Sequence, residues 1–243
     1  MTGHAEGVGS GPWLVVALAL AYDALALRVP GWNRWRAAAF QAGCVALILG
    51  LALPAHDFTG HMAQHLLIAM VAPLGLVVGT PVTLLLRTLP VPAARRLTAV
   101  MRSRPVRILT HPIAALLLTV GGLPLLTVPQ AMAHPWVTVH FILAGCLFAW
   151  VIAGADPAPH RASVTARLVT LGVAIAAHAA FSQYLYATAP GPDQRAGATL
   201  MYYGGDLAEL LLAFAVVQSR TTRTSRATAT RQGPRPQPTP VHR

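Results

Sequence analysis

A few histidines and carboxylates interrupt long apolar stretches of this chain, in which only 10% of residues are charged. His61 and His65 are four residues apart, so on a helix they project from the same face. Such a pair can supply two ligands to one metal ion. Further ionisable residues within apolar stretches are His140, His178, Asp206 and Glu209. Together they indicate a site that could hold a metal inside a helical bundle.

The types of residue restrict which metal could bind, but they do not identify it. Imidazole suits copper, zinc and iron, whereas the thioethers of nearby Met62 and Met201 favour Cu(I). The carboxylates could orient the imidazoles or offset the charge of the ion, and His134 is a further accessory candidate. Histidines on different helices could instead be the axial ligands of a haem. Spacing alone leaves copper and haem open.

The elements that must position these residues are membrane-spanning helices. The chain has 243 residues, of which 55% are hydrophobic, and so few charges cannot cover the surface of a soluble domain. A span needs about 20 mostly apolar residues. Seven segments qualify: 12–28, 37–54, 62–86, 109–131, 135–153, 165–188 and 199–219. The sequence therefore predicts an all-α, polytopic bundle over residues 1–219, followed by a disordered basic tail over 220–243.

The arginines predict the orientation of the bundle. All eighteen basic residues are arginine, and seventeen lie in alternate connectors or in the tail, whereas only Arg195 lies on the other side. By the positive-inside rule this places the N-terminus outside and the C-terminus in the cytoplasm. The net charge of +11 is then explained by topology and by attraction to anionic membrane lipid. Nucleic acid is not an expected partner.

This orientation gives each buried polar residue a depth, because an α-helix rises about 1.5 Å per residue. His65 lies roughly 6 Å below the outer surface and His140 roughly 8 Å, while His178 lies roughly 12–15 Å deep. Asp206 and Glu209 lie about 10 and 15 Å deep on one face of the last helix. Four helices thus bring five ionisable groups to the outer half of the bilayer, where polar residues usually mark function.

Several motifs, in order along the chain, resemble those of one protein family. The first is His61-Met62-Ala63-Gln64-His65, continuing through Val71-Ala72-Pro73 to Gly79-Thr80-Pro81. The next are His140-Phe141-Ile142-Leu143-Ala144-Gly145 and Gly154-Ala155-Asp156-Pro157. The last are His178-Ala179, Asp193-Gln194-Arg195-Ala196-Gly197 and Met201-Tyr202-Tyr203-Gly204-Gly205-Asp206. Together they cover roughly residues 35–218 and resemble the CtaG-type cytochrome c oxidase assembly factors of the seven-span membrane kind.

The resemblance implies a multi-pass protein of the bacterial plasma membrane that is required to form active haem–copper oxidase. It implies copper handling as the role, in the manner of a chaperone, with oxidase subunits and a copper donor protein as partners. The family's histidine positions correspond to His61, His65, His140 and His178, and its acidic position corresponds to Asp206. Within this expectation, Cu(I) is held in an outward-facing site and passed to the oxidase.

Other classes of function stay open at this point. One is a membrane cytochrome with His-ligated haem, and another is a metal or proton transporter. A third is a scaffold that only brings oxidase subunits together. The sequence shows no catalytic triad and no nucleotide-binding loop, so we do not expect an enzyme.

Overall fold

The computed structural model describes residues 10–128, 134–154, 156–158 and 161–231, and within these ranges it contains helices and turns but no strand. The first half of the described chain forms α1 (Ser10–Ala26), α2 (Arg34–Ala52), α3 (Phe58–Leu66), a π-helical turn (Leu67–Val71), α4 (Ala72–Val78) and α5 (Pro81–Thr88). The second half forms α6 (Val91–Met101), α7 (Arg104–Leu109), α8 (Pro112–Gly121), a 3₁₀ turn (Leu123–Thr127), α9 (Pro135–Ile152), α10 (Val164–Thr188) and α11 (Pro192–Arg231).

Five helical segments are long and apolar enough to cross a membrane. They are Arg34–Ala52, Phe58–Thr88, Pro135–Ile152, Val164–Thr188 and Pro192–Gln218. Two further apolar helical segments are shorter, Gly11–Ala26 and Pro112–Thr127. The prediction of an all-helical chain with several membrane-spanning helices is therefore confirmed, while seven spans and the orientation of the termini stay predictions.

Helix α11 is much longer than its apolar part. It continues as helix to Arg231, through part of the segment 220–243 that the sequence predicts to be a disordered tail. Residues 232–243 lie outside the described residues. The division into a transmembrane domain and a tail stays a prediction.

Small residues let the helices approach closely, as is common between helices in membranes. Helix α2 packs along α4, α3 along α11, and α9 along both α8 and α4. A Cβ added to Gly43 of α2 would lie 2.6 Å from the backbone nitrogen of Leu76 in α4. A Cβ added to Gly75 would in turn lie 2.7 Å from the Cα of Gly43. The backbones of α2 and α4 are therefore in direct contact.

At one end of the bundle, hydrogen bonds join Asp156, which follows α9, to the first turn of α5. The chain turns at Thr80, a non-glycine residue with φ 53°, and α5 then begins at Pro81. The Asp156 carboxylate accepts hydrogen bonds from the backbone N–H groups of Val82 (3.2 Å) and Thr83 (2.8 Å) and from the Thr83 hydroxyl (2.5 Å). We call this contact the Asp156 junction. Burial raises the pKa of the Asp156 carboxyl, and the hydrogen bonds from Thr83 and Val82 oppose that rise.

At the opposite end, similar hydrogen bonds join Asp193, in the first turn of α11, to the first turn of α3. Its carboxylate accepts hydrogen bonds from the N–H groups of Phe58 (2.9 Å) and Thr59 (3.2 Å) and from the Thr59 hydroxyl (2.7 Å). The Asp57 side chain accepts a further bond from the N–H of Gly60 at 2.7 Å. These carboxylates satisfy amides of the first turn of α3 that have no partner within the helix. This contact, which we call the Asp193 junction, holds α3 against α11.

Candidate metal site

A small cavity lies between the helices that the Asp193 junction joins and their neighbours α8, α9 and α10. Its volume is about 60 Å³, and its walls are mainly aliphatic and aromatic. The exceptions are His65 of α3, Met70 of the π-helical turn, Thr119 of α8, His178 of α10 and Glu209 of α11. The volume suffices for an ion or a few water molecules. It is far below the roughly 300–1,000 Å³ of pockets that enclose organic ligands.

The polar atoms around this cavity are not hydrogen-bonded. Within the described residues, Nδ1 of His65, the Thr119 hydroxyl, both ring nitrogens of His178 and Oε2 of Glu209 are buried without a partner. The His65 side chain is 3% exposed, and those of His178 and Glu209 are each 5% exposed. Buried polar groups in proteins are nearly always paired, because an unpaired one costs about 1–3 kcal/mol. Five such atoms around one cavity therefore indicate a place for a polar or charged guest.

The two imidazoles lie near each other at the cavity. Their ring centroids are 6.5 Å apart and their planes are inclined by 19°. Metal–imidazole bonds are about 2.0 Å long and lie in the plane of the ring, so one ion bound by both residues needs a nitrogen of each ring turned towards it. The edge of Phe141 packs against His65, with ring centroids 4.7 Å apart, and holds that ring in place.

Gly205 makes this arrangement possible on the side of α11. A Cβ at Gly205 would overlap the His178 ring, and a Cβ at the neighbouring Gly204 would overlap a terminal methyl of Leu66. Without side chains at these two positions, α11 approaches α3 and α10 closely enough to bring Glu209 to the cavity. Asp206, which is half-buried, interacts electrostatically with both His178 and Glu209.

His61 and His140, two residues of the sequence-predicted site, lie elsewhere. His61 lines a separate pocket of about 620 Å³ at the Asp193 junction, together with His56 and Asp57. We call this space the outer pocket, after the side to which the arginine pattern assigns it. The ring centroid of His140 lies 5.7 Å from that of Phe141, and His140 does not line the cavity.

The predicted accessory residues also lie in different parts of the structure. Glu209 lines the cavity, whereas Met62 and Met201 are fully buried in the apolar core that joins α3 and α11. His134 is exposed before the first turn of α9 and lines neither the cavity nor the outer pocket. Within the described ranges, no three His, Cys, Asp or Glu side chains form a group that could hold a metal ion.

Sequence reasoning missed two residues that line the cavity, Met70 and Thr119. Thr119 lies in an apolar helix without any motif around it, so the sequence carries no signal for it. Met70 is five residues after His65, and regular helical periodicity places these two on different faces. The π-helical turn after His65 changes this periodicity. Pro73 is the sequence signal for such an irregularity, and it could have indicated that Met70 shares a face with His65.

Comparison with known proteins places these features in a family. The family described as cytochrome c oxidase caa3 assembly factor matches residues 16–222, which include every residue that lines the cavity. No solved structure matches the chain.

The chain is also similar to mycobacterial proteins of unassigned role. It is 36% identical over 192 residues to an uncharacterised protein of Mycobacterium bovis and to one of Mycobacterium tuberculosis, with 71% of this chain covered. It is 34% identical over 190 residues to an uncharacterised protein of Mycobacterium leprae. The alignments cover 29% of each relative, so the chain corresponds to less than a third of these longer proteins.

Proposed function

The chain belongs to the cytochrome c oxidase caa3 assembly factor family, and from this premise we propose that it supplies copper to the oxidase. In this proposal Cu(I) binds between His65 and His178 in the buried cavity and leaves for a metal centre of an oxidase subunit in the same membrane. The role is that of a metal carrier in the bacterial plasma membrane, not that of an enzyme.

The observation that carries the proposal is the set of unpartnered polar atoms around the cavity. Two imidazoles with unpartnered ring nitrogens line a space of about 60 Å³, and their ring centroids are 6.5 Å apart. Imidazole is a good ligand for copper. The nearby carboxylates of Glu209 and Asp206 offset the charge of the cation, which an apolar interior would otherwise exclude.

The outer pocket provides the approach to this site. Its lining includes the side chains of His56, Asp57, His61 and Asp193, and among the residues that the structure describes it contains no arginine. Carboxylates attract a cation, and the arginine-free lining does not repel it. His61 and His65 are one helical turn apart on α3, so copper taken up at His61 reaches His65 by exchange between adjacent ligands.

The experiment compares the variant His65→Ala/His178→Ala with the wild type and with His134→Ala. His134 is the matched control, because it lies at the same end of the bundle and lines neither space. We expect near-stoichiometric Cu(I) in purified wild type and in the control, and almost none in the double variant. Oxidase activity of the host membranes should fall with the copper content while the protein level stays constant.

Two results would contradict the proposal. The first is wild-type protein that takes up no copper from a Cu(I) solution. The second is a double variant that keeps its copper or sustains full oxidase activity.

A further inference from the structure

The helix that carries His65 is not a regular α-helix. Directly after α3, residues Leu67–Val71 form a π-helical turn, in which the N–H of Ala72 donates to the carbonyl of Leu67, five residues earlier. Pro73 explains the irregularity. It has no N–H to donate to the carbonyl of Ala69, and its ring would clash with that carbonyl in an α-helix. Widening the preceding turn relieves the clash.

The wider turn changes which side chains share a face. In an α-helix, residues five apart such as His65 and Met70 project about 140° apart. A π-helical turn holds more residues and brings them towards the same side. In the structure both His65 and Met70 line the cavity, with His178 opposite.

We infer that Met70 is the third ligand of the ion held by His65 and His178, and that its thioether makes the site selective for Cu(I). This inference rests on the proposed copper-delivery function and extends it to the choice of metal. Thioether sulfur is a soft ligand that favours Cu(I), whereas Zn²⁺ gains little from it.

Helix α9 packs against the π-helical turn and restricts its conformation. A Cβ at Gly145 would overlap the carbonyl oxygen of Ala69 and would lie 2.8 Å from Cγ of Pro73. Helix α9 therefore packs directly on the backbone of the π-helical turn. This contact keeps the turn wide and the Met70 side chain at the cavity.

The test compares Met70→Leu with Met201→Leu, both nearly volume-conserving changes that remove one sulfur. Met201 is the matched control because it is fully buried in the core and does not line the cavity. We expect Met70→Leu to lower the affinity for Cu(I) at least about tenfold in competition with a Cu(I) chelator. Its affinity for Zn²⁺ should not change. X-ray absorption of the copper-loaded proteins should show a copper–sulfur shell that is absent from Met70→Leu and present in Met201→Leu.

The outcomes separate this inference from the function on which it rests. If Met70→Leu binds Cu(I) as tightly as the wild type and retains the copper–sulfur shell, Met70 is not a ligand, while copper delivery stands. If the wild type binds copper without any sulfur shell, the assignment of Met70 is again wrong. If the wild type binds no copper, the proposed function fails and the inference fails with it.

Discussion

Asp156 and His178 are buried to nearly the same extent, but their surroundings differ in kind. Asp156 is 1% exposed, and its carboxylate accepts three hydrogen bonds from Val82 and Thr83. His178 is 5% exposed, and neither of its ring nitrogens has a partner within the described residues. Both residues belong to motifs that resemble those of the family, so the sequence alone does not separate their roles.

The difference distinguishes residues that hold the bundle together from residues that bind. A buried group with all its hydrogen bonds made stabilises the fold, and removing it leaves its partners unsatisfied. A buried group without partners beside a cavity makes the apo fold less stable and keeps its bonding capacity for a guest. The two classes should therefore respond to substitution with effects of different size and, in one case, of different sign.

The largest effect is expected at the Asp156 junction. Asp156→Ala removes the acceptor of two backbone N–H groups and one hydroxyl, and should lower the free energy of unfolding by about 3 kcal/mol. Thermal unfolding in detergent measures this loss. Asp156→Asn, which retains one acceptor oxygen, should lose less. An unchanged midpoint in Asp156→Ala would mean that the junction does not stabilise the bundle.

A smaller loss of stability is expected for a substitution at Gly205, where α11 borders the cavity. The Cβ introduced by Gly205→Ala overlaps the His178 ring, and such overpacking typically costs about 1–3 kcal/mol. Displacing the ring should also abolish copper binding. Gly172→Ala is the matched control on α10, because a Cβ there meets no atom within 4 Å, and it should be neutral or slightly stabilising. Equal behaviour of the two variants would contradict the close approach at Gly205.

At the Asp193 junction we expect a smaller loss of stability than at the Asp156 junction. Asp193→Ala removes the same kind of cap as Asp156→Ala, but Asp193 is only half-buried, so water can replace part of the lost bonding. The two variants measured side by side in chemical denaturation test the ranking. A loss at Asp193 that exceeds the loss at Asp156 would mean that burial does not set the strength of these junctions.

The smallest change in stability, with the opposite sign, is expected at Glu209. Glu209→Leu replaces an unpartnered buried carboxyl by an apolar side chain, and should leave the apo protein as stable as the wild type or more stable by up to about 1 kcal/mol. Copper affinity should fall at the same time. A marked destabilisation of the apo protein would place Glu209 among the residues that hold the bundle together.

The sequence predicts the helices well, because long apolar stretches between arginine-rich connectors leave few alternatives. It also predicts that His65, His178 and Glu209 lie in the same half of the bilayer, since depth follows from helical rise. Depth does not determine direction around the helix axis, and for this reason the sequence predicts His140 at the site although it does not line the cavity.

Two further features could not be predicted from the sequence, and the reasons differ. Met70 reaches the cavity only because Pro73 disturbs the periodicity on which helical face assignments rest. The caps made by Asp156 and Asp193 join residues that are 73 or more positions apart in the chain, and no local pattern pairs them. Contacts of this kind depend on tertiary packing.

The Asp193 junction also dictates an order of events during biosynthesis. Phe58 in α3 finds its acceptor 135 residues later in the chain, at the start of α11. Chains are made from the N-terminus, and the earlier helices therefore enter the membrane first. A nascent chain that ends before residue 193 carries His65 and His178 but lacks both Glu209 and the carboxylate that ties α3 to α11. The cavity is therefore completed only after α11 has joined α3, and a shorter nascent chain lacks part of the proposed copper site.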